Sequence, residues 1–185
     1  MVTVALDRSA DDARPWIEAA RPTHPSLIDV RHVVADLYNM VNVPTVVWID
    51  EAGRIVRPND VAFGSDTFRH ITGIEAARHQ GLLREWVRGA APARPSGAGA
   101  SPTPPTAEHQ QARACFALGQ WLSERGLLDA ATRQFVRAGE LAPHDFTIRR
   151  GTMPIRGIDP MGPDFRAMLT DWVGAGHRYY QPLED

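Results

Sequence analysis

The chain has 185 residues, of which 43% are hydrophobic and 23% are charged, an ordinary balance for a globular protein. Its formal net charge of -2 creates no field that would attract nucleic acid or anionic lipid. No apolar run approaches the ~20 residues that cross a bilayer. All 20 basic residues are arginine, but they are scattered, so we attribute them to coding bias rather than to an anion-binding patch. The composition predicts no nucleic-acid partner and no membrane segment in this chain.

Cysteine and histidine usage limits the chemistry that this chain can hold. Cys115 is the only cysteine, which excludes an internal disulfide, a Cys-x-x-Cys pair and a multi-cysteine zinc site. No two histidines have His-x-x-x-His spacing, and we interpret His24, His32, His70 and His79 as surface or capping residues. We therefore predict no catalytic residue, no metal and no cofactor. No secretory signal opens the chain, so the residues alone favour the cytoplasm without settling localisation.

Residues 89–106 separate two predicted domains. Every residue in this stretch except Arg94 is Gly, Ala, Pro, Ser or Thr. Such a segment cannot bury enough apolar surface to offset the entropy of ordering it. We therefore predict a disordered linker at 89–106 between a first domain, residues 1–88, and a second, residues 107–185.

The first domain begins with alternating strands and helices. Residues 2–6 form an apolar run that predicts a buried strand. Ser9 and Asp12 have the spacing of a capping box, which predicts a helix ending before Pro22. Residues 26–30 predict a short strand, and residues 33–40 carry a second helical stripe.

A hairpin and a broken helix follow. Residues 45–49, Thr-Val-Val-Trp-Ile, are β-branched and aromatic and form the strongest predicted strand. Residues 50–53 end in a glycine where a turn needs positive φ, and residues 54–57 return as the partner strand. Residues 68–86 predict a helix or broken helix before the linker. The order β-α-(β)-α-β-β-α indicates an α/β domain.

Pro44 stands directly before the strongest predicted strand, where it cannot donate a ladder hydrogen bond. It is either a stiff entry to an edge strand or a cis-proline whose turn exposes the preceding backbone. The stretch 41–56, Val-Asn-Val-Pro-Thr-Val-Val-Trp-Ile-Asp-Glu-Ala-Gly-Arg-Ile-Val, resembles the cis-proline strand and hairpin of thioredoxin-like proteins, especially the ResA/TlpA branch. The resemblance extends over residues 2–64.

The resemblance implies a substrate-facing surface at Val43, Pro44 and Thr45. In that family the backbone of the residue before the proline pairs with an extended substrate peptide by strand addition. The proline also keeps metal-binding side chains away from the reactive thiolate. The implied partner is therefore a protein or peptide thiol or disulfide.

The family's redox unit has no counterpart in this chain. That unit is a central strand and a helix whose N-terminus lowers the pKa of a nucleophilic thiol. We expect a partial thioredoxin-like fold without this strand and helix, and hence marginal stability or self-association through exposed edges. Two explanations stay open: a true start upstream, with cysteine or selenocysteine as nucleophile, or a natural truncation. Cys115 lies beyond the predicted linker and does not substitute.

The second domain is predicted to be a small all-α subdomain. Residues 112–145 look like one tetratricopeptide repeat. Its characteristic positions are held by Leu118, Gly119, Leu122, Gly126, Ala131, Phe135, Ala138 and Pro143. Residues 164–173 have the pattern of a third helix. Residues 146–163 are predicted to form an ordered loop in preference to an anion-binding surface. Cys115 is predicted to be buried and to pack as a small hydrophobic residue. The aromatic stretch at 177–182 is expected to contact the first domain or a partner.

Two functions compete on this evidence. The favoured one is a thioredoxin-like protein derived from a thiol-disulfide or selenol oxidoreductase whose redox motif is missing here. The alternative is a non-catalytic interaction protein that combines a degenerate thioredoxin-like domain with a helical repeat, through which it binds a protein partner.

Overall fold

The structure, a computed structural model, describes residues 1–90 and 104–183. Helices account for roughly half of the described residues, and two strands form a small parallel sheet, so the predicted mixed α/β class is confirmed. No helix within these residues is both long enough and apolar enough to span a membrane. In chain order the elements are β1 (Thr3–Ala5), α1 (Ala10–Ala20), β2 (Ser26–Ile28), α2 (Val33–Leu37), α3 (Arg69–Thr72), α4 (Ala76–Val87), α5 (Ala107–Ser123), α6 (Leu128–Leu141), α7 (Phe146–Arg149) and α8 (Pro163–Gly174), with 3-10 turns at Asp66–Phe68 and Pro154–Arg156.

The chain forms two compact units that do not follow the predicted order of domains. Met1–Val41 and Pro105–Asp171 form one, called the helical unit below. Asn42–Pro104 and Trp172–Asp185 form the other, called the hairpin unit. The grouping differs from the predicted boundaries because residues 1–41 share a unit with the α5–α6 region. Residues 91–103 of the predicted linker lie outside the described residues, so the linker stays a prediction.

In the helical unit, the first elements form a parallel β-α-β arrangement. Strand β1 pairs with β2 in parallel register, with Val4 opposite Leu27. A parallel pair needs a crossover connection, which α1 supplies. Ser9 is the N-cap residue of α1, as predicted, but its side chain makes no capping bond, so the capping box is wrong in that detail.

Helix α2 begins on a buried polar site that the sequence did not reveal. The carboxylate of Asp29 accepts the backbone N–H groups of Val33 and Val34 at 3.0 and 2.7 Å. His32 occupies the N-cap position with φ of 57°, and its ring centroid lies 4.7 Å from that of Phe116. Of the two placements predicted for His32, the surface one is wrong because the residue is only 6% exposed, whereas the capping one holds for its position but not for its side chain, which makes no capping bond.

Helices α5 and α6 form the predicted helical hairpin. Thr106 caps α5 by accepting the backbone N–H of His109, and α6 ends at Leu141, before Pro143. Phe135 lies against Gly119, where a Cβ atom would come within 2.5 Å of its ring. Cys115 packs against this core but is only half-buried, whereas a buried residue was predicted. The core of the pair is built by Ala112, Phe116, Ala131, Phe135, Ala138, Ala142 and Ile148.

Beyond the helical hairpin, the described part of the predicted second domain contains two further helices. The third helix is confirmed as α8, with Phe165 buried. Residues 146–163, predicted as an ordered loop, contain the short helix α7 and a 3-10 turn. Asp145 begins α7 by accepting the backbone N–H groups of Thr147 and Ile148.

The hairpin unit holds the predicted hairpin, but not as two continuous strands. Residues 45–49 pair with the return segment through two isolated antiparallel bridges, Val46 with Asp60 and Ile49 with Ile55. Between these bridges the return segment has two residues more than its partner. Pro58, which has no N–H to donate, lies in this excess and interrupts the ladder. Gly53 has the positive φ, 77°, that the predicted turn requires.

The broken helix predicted at residues 68–86 is also confirmed. It consists of the 3-10 turn Asp66–Phe68 followed by α3 and α4. Trp48 of the hairpin is 3% exposed and contacts Trp86 of α4, with ring centroids 4.9 Å apart. His79 of α4 meets the same indole edge-on at 5.7 Å. This aromatic cluster joins the hairpin to α4.

Candidate functional site

The three residues predicted to face a substrate form one tight loop at the entry to the hairpin. The Val43–Pro44 peptide bond is cis, as in the second interpretation of Pro44, but the backbone of Val43 is not left free, because its N–H and its carbonyl oxygen both have partners within the chain. The hydroxyl of Thr45 donates to the carbonyl oxygen of Asn42 at 2.6 Å. The N–H of Val43 donates to the side-chain oxygen of Asn42 at 2.9 Å. Val43 is 38% exposed. The role of this loop in binding a substrate stays a prediction.

The C-terminal segment 177–183, called the tail below, lies on this loop. The side-chain amide of Asn42 donates to the carbonyl oxygen of Tyr179 at 2.7 Å. The hydroxyl of Tyr180 donates to the carbonyl oxygen of Val43 at 3.1 Å, and its ring meets that of Phe63 edge-on at 5.6 Å. The aromatic stretch thus contacts the predicted docking residues, one of the two outcomes expected for it. Both polar backbone groups of Val43 already have partners within the chain.

Asp60 fixes the other end of the tail. One carboxylate oxygen accepts the backbone N–H of Leu183 at 2.9 Å and that of Val61 at 2.8 Å. The second oxygen accepts the guanidinium of Arg57 at 3.1 Å, in an ion pair whose side chains are 2% and 6% exposed. A buried ion pair is favourable only when its remaining hydrogen-bonding capacity is satisfied. The tail's main chain contributes to that here.

The ion pair of Arg57 and Asp60 was missed from the sequence. Charged residues are mostly exposed, so a charge next to a predicted strand is normally assigned to its solvent face. The guanidinium of Arg57 lies 5.0 Å from the ring centroid of Trp48, a cation–π contact beneath the hairpin. The weak available signal was an arginine and an aspartate three residues apart on either side of Pro58.

A half-open cleft of about 280 Å³ adjoins Asp60. This volume lies just below the range of about 300–1,000 Å³ typical of small-molecule pockets. The guanidinium of Arg78 lies 3.5 Å from the carbonyl oxygen of Leu183. The cleft therefore belongs to the surface that the tail contacts. It is lined by Asp60, Val61, Gly73, Ile74, Glu75, Arg78, His79, Leu82 and Pro182.

The helical unit contains a second polar cluster, which serves the fold. His109 and Asp145 are both buried, and the Nε2 of His109 lies 2.7 Å from a carboxylate oxygen of Asp145. The other oxygen accepts the hydroxyl and the N–H of Thr147 at 2.6 and 2.9 Å. Burial, and secondarily His109, lower the pKa of His144. Across residues 1–90 and 104–183, no three His, Cys, Asp or Glu side chains are grouped so as to hold a metal ion.

The thiol chemistry of the resembled family uses a pair of cysteines, and this chain has one cysteine. Cys115, the single cysteine, lies in α5 against the helical core. Thiol–disulfide exchange within one chain requires a second cysteine. The chain matches no protein-family model, no curated protein and no solved structure. Its function is therefore inferred from its own residues and their geometry.

Proposed function

We propose that this chain is a partial thioredoxin-like protein of the ResA/TlpA type, which docks extended protein or peptide thiol or disulfide substrates at Val43, Pro44 and Thr45. The observation that carries the proposal is the local structure of residues 41–60. The stretch that resembles the family's docking strand forms a loop with Val43 exposed, followed by an antiparallel hairpin. Strand addition of a peptide needs main-chain groups that the peptide can reach, and the group that this loop can offer is the carbonyl oxygen of Val43, which accepts the hydroxyl of Tyr180 in the structure.

The order of the neighbouring elements supports the same proposal. Strand β1, crossover helix α1, parallel strand β2 and helix α2 precede the loop, and the hairpin and α4 follow it. This is the succession that the resemblance implies for the part of the fold after the redox helix. A thioredoxin-like identity accounts for both the order and the position of Pro44.

The chemistry left to this chain is alignment of a substrate. In thiol–disulfide exchange a thiolate attacks one sulfur of a disulfide, and a mixed disulfide forms as the other sulfur leaves. The carbonyl oxygen of Val43 can accept a backbone N–H of the peptide that carries that disulfide. Cys115 is half-buried in a helix and has no partner cysteine, so it is not assigned the nucleophilic role.

A binding measurement tests the docking surface without requiring turnover. The probe is fluorescein-labelled insulin B chain with its thiols carboxamidomethylated, titrated with the full chain and followed by anisotropy. Val43→Arg places a charge on the surface and should weaken binding about fivefold or more, as for a contact residue of a small interface. Val87→Arg is the matched control, since Val87 is 73% exposed in the same unit. Equal affinity of the two variants would refute docking at Val43.

A second candidate function rests on the helical hairpin. Leu118, Trp121 and Val136 are 45%, 49% and 43% exposed, respectively, on α5 and α6, which leaves apolar surface for a protein partner. Under this hypothesis the chain is a non-catalytic interaction module with a tetratricopeptide-like repeat. Trp121→Glu, rather than Val43→Arg, should then weaken binding of the partner. Binding of the insulin probe that is lost in Trp121→Glu and retained in Val43→Arg would favour this second function.

A further inference from the structure

We infer that the tail is an internal ligand of the docking loop, and that it must leave before a partner peptide can reach Val43. The inference rests on the proposed function, because it assigns regulation to the same surface. It concerns residues 177–183 and their contacts with Asn42, Val43, Asp60 and Phe63.

The contacts of the tail are those of a bound peptide rather than of a loosely placed terminus. Its main chain accepts from Asn42 at Tyr179 and donates to Asp60 at Leu183. Between these two anchors, the hydroxyl of Tyr180 donates to the carbonyl oxygen of Val43. Main-chain hydrogen bonds at both ends with a side-chain anchor between them are a common way to recognise an extended peptide.

Asn42 couples the tail to the backbone of Val43. Its side-chain oxygen accepts the N–H of Val43, while its side-chain nitrogen donates to Tyr179. One amide group thereby binds the main chain of the tail and also occupies the N–H of Val43. When the tail leaves, the amide of Asn42 loses one of the two bonds that fix it and can turn away from Val43. Release of the tail thus uncovers the carbonyl and frees the N–H together.

The same contacts define the chemistry of a peptide that can displace the tail. The surface offers two acceptors, the carbonyl oxygen of Val43 and the carboxylate of Asp60, and an aromatic wall at Phe63. A competitor must therefore supply a donor at both positions, and the donor at Val43 must be carried on an aromatic ring that contacts Phe63. An extended segment with a tyrosine followed three residues later by a free main-chain N–H meets these needs, as Tyr180 and Leu183 do here.

Competition between the tail and a peptide in trans is the measurable consequence. The apparent affinity for an added peptide is the intrinsic affinity multiplied by the fraction of molecules whose tail is open. The probe is a fluorescein-labelled synthetic peptide with the chain's own sequence, GHRYYQPLED, titrated into the full chain. Tyr180→Phe in the chain removes one net hydrogen bond and keeps the ring against Phe63, so the probe should bind about fivefold tighter. Gln181→Ala changes an exposed tail side chain and should leave the affinity unchanged.

Amide hydrogen exchange supplies a second readout on the unmodified chain. The N–H of Leu183 should exchange more slowly than in an unfolded chain, because it donates to Asp60, and Tyr180→Phe should reduce this protection by about the same fivefold. Unprotected exchange at Leu183, or probe binding that is absent or equal in wild type and Tyr180→Phe, would overturn the inference.

The outcomes separate this inference from the proposed function. If Tyr180→Phe strengthens binding of the tail peptide but neither chain binds carboxamidomethylated insulin B chain, the tail is an internal ligand and the proposed function fails. If both chains bind the insulin probe equally and Val43→Arg abolishes that binding, the docking function stands and the tail does not regulate it.

Discussion

Gly119→Ala should destabilise the helical unit although alanine is the better helix former. A Cβ atom at Gly119 would lie 2.5 Å from Cε1 and 2.6 Å from Cδ1 of Phe135, which are impossible contacts for a real side chain. Phe135 is 2% exposed, and its ring lies 5.9 Å from that of Phe116 between centroids. The ring cannot move away without disturbing the core, so α5 and α6 must separate.

Two opposing terms set the magnitude. Replacing glycine by alanine inside a helix stabilises it by about 1 kcal/mol. Forcing an extra methyl into a filled core costs about 1–3 kcal/mol. The free energy of unfolding should therefore fall by about 0–2 kcal/mol in Gly119→Ala. Gly139→Ala in α6 is the matched control, because its Cβ would lie 3.5 Å from Cγ of Arg149, an ordinary contact. The control should gain up to about 1 kcal/mol.

Urea unfolding followed by far-ultraviolet circular dichroism measures both variants. Subtracting the control removes most of the propensity term, so Gly119→Ala should lie about 1–3 kcal/mol below Gly139→Ala. Phe135→Leu should reduce this difference, since the shorter side chain vacates the ring position. If Gly119→Ala stabilises the protein as much as Gly139→Ala does, the close approach of α5 and α6 at this point is refuted.

Three further predictions concern buried polar groups. Burial lowers the pKa of His32, so the unfolded chain binds a proton more readily than the folded chain. The free energy of unfolding should therefore fall as pH drops through about 6.5. His32→Asn, in which asparagine tolerates the same φ, should flatten this pH dependence when urea unfolding is measured at several pH values. Asp145→Ala should cost about 3–5 kcal/mol, because it leaves a buried histidine without its partner and α7 without its cap, and Asp145→Asn should recover part of the loss in the same unfolding assay. Arg57→Met should lower the free energy of unfolding by about 3 kcal/mol, because it isolates the carboxylate of Asp60. Arg54→Met, at a side chain that is 77% exposed, should change it by less than about 1 kcal/mol. Equal shifts of the melting temperature in calorimetry would contradict the buried pair.

Local sequence patterns predicted the helices and strands. The break in the hairpin and the division into two units depend on contacts between residues that are distant in sequence. The β-branched run at 45–49 and the glycine at 53 indicate a hairpin, which the structure contains. The break in its ladder follows from Pro58 together with the burial of Arg57, and a buried arginine is invisible to a pattern that assigns charges to the surface. The division into two units depends on packing between residues distant in sequence, which periodicity does not encode.

The candidate site was predictable in part for the same reason. Val43, Pro44 and Thr45 are adjacent in the chain, so a local motif was enough to select them. Asp60 and the tail contribute through contacts made by folding, and Tyr180 is 137 residues from the carbonyl that it binds. An aromatic pair near the C-terminus signalled a contact surface, but not which surface it covers.

Mapping the bound peptide on the chain tests the docking surface most directly. The backbone amide resonances of the ¹⁵N-labelled protein are followed by NMR as carboxamidomethylated insulin B chain is added. Docking by strand addition predicts the largest shifts at Val43 and Thr45, with a change at Leu183 as the tail is displaced. Shifts confined to α5 and α6, with Val43 and Thr45 unmoved, would contradict a peptide-docking role for the loop and assign binding to the helical hairpin.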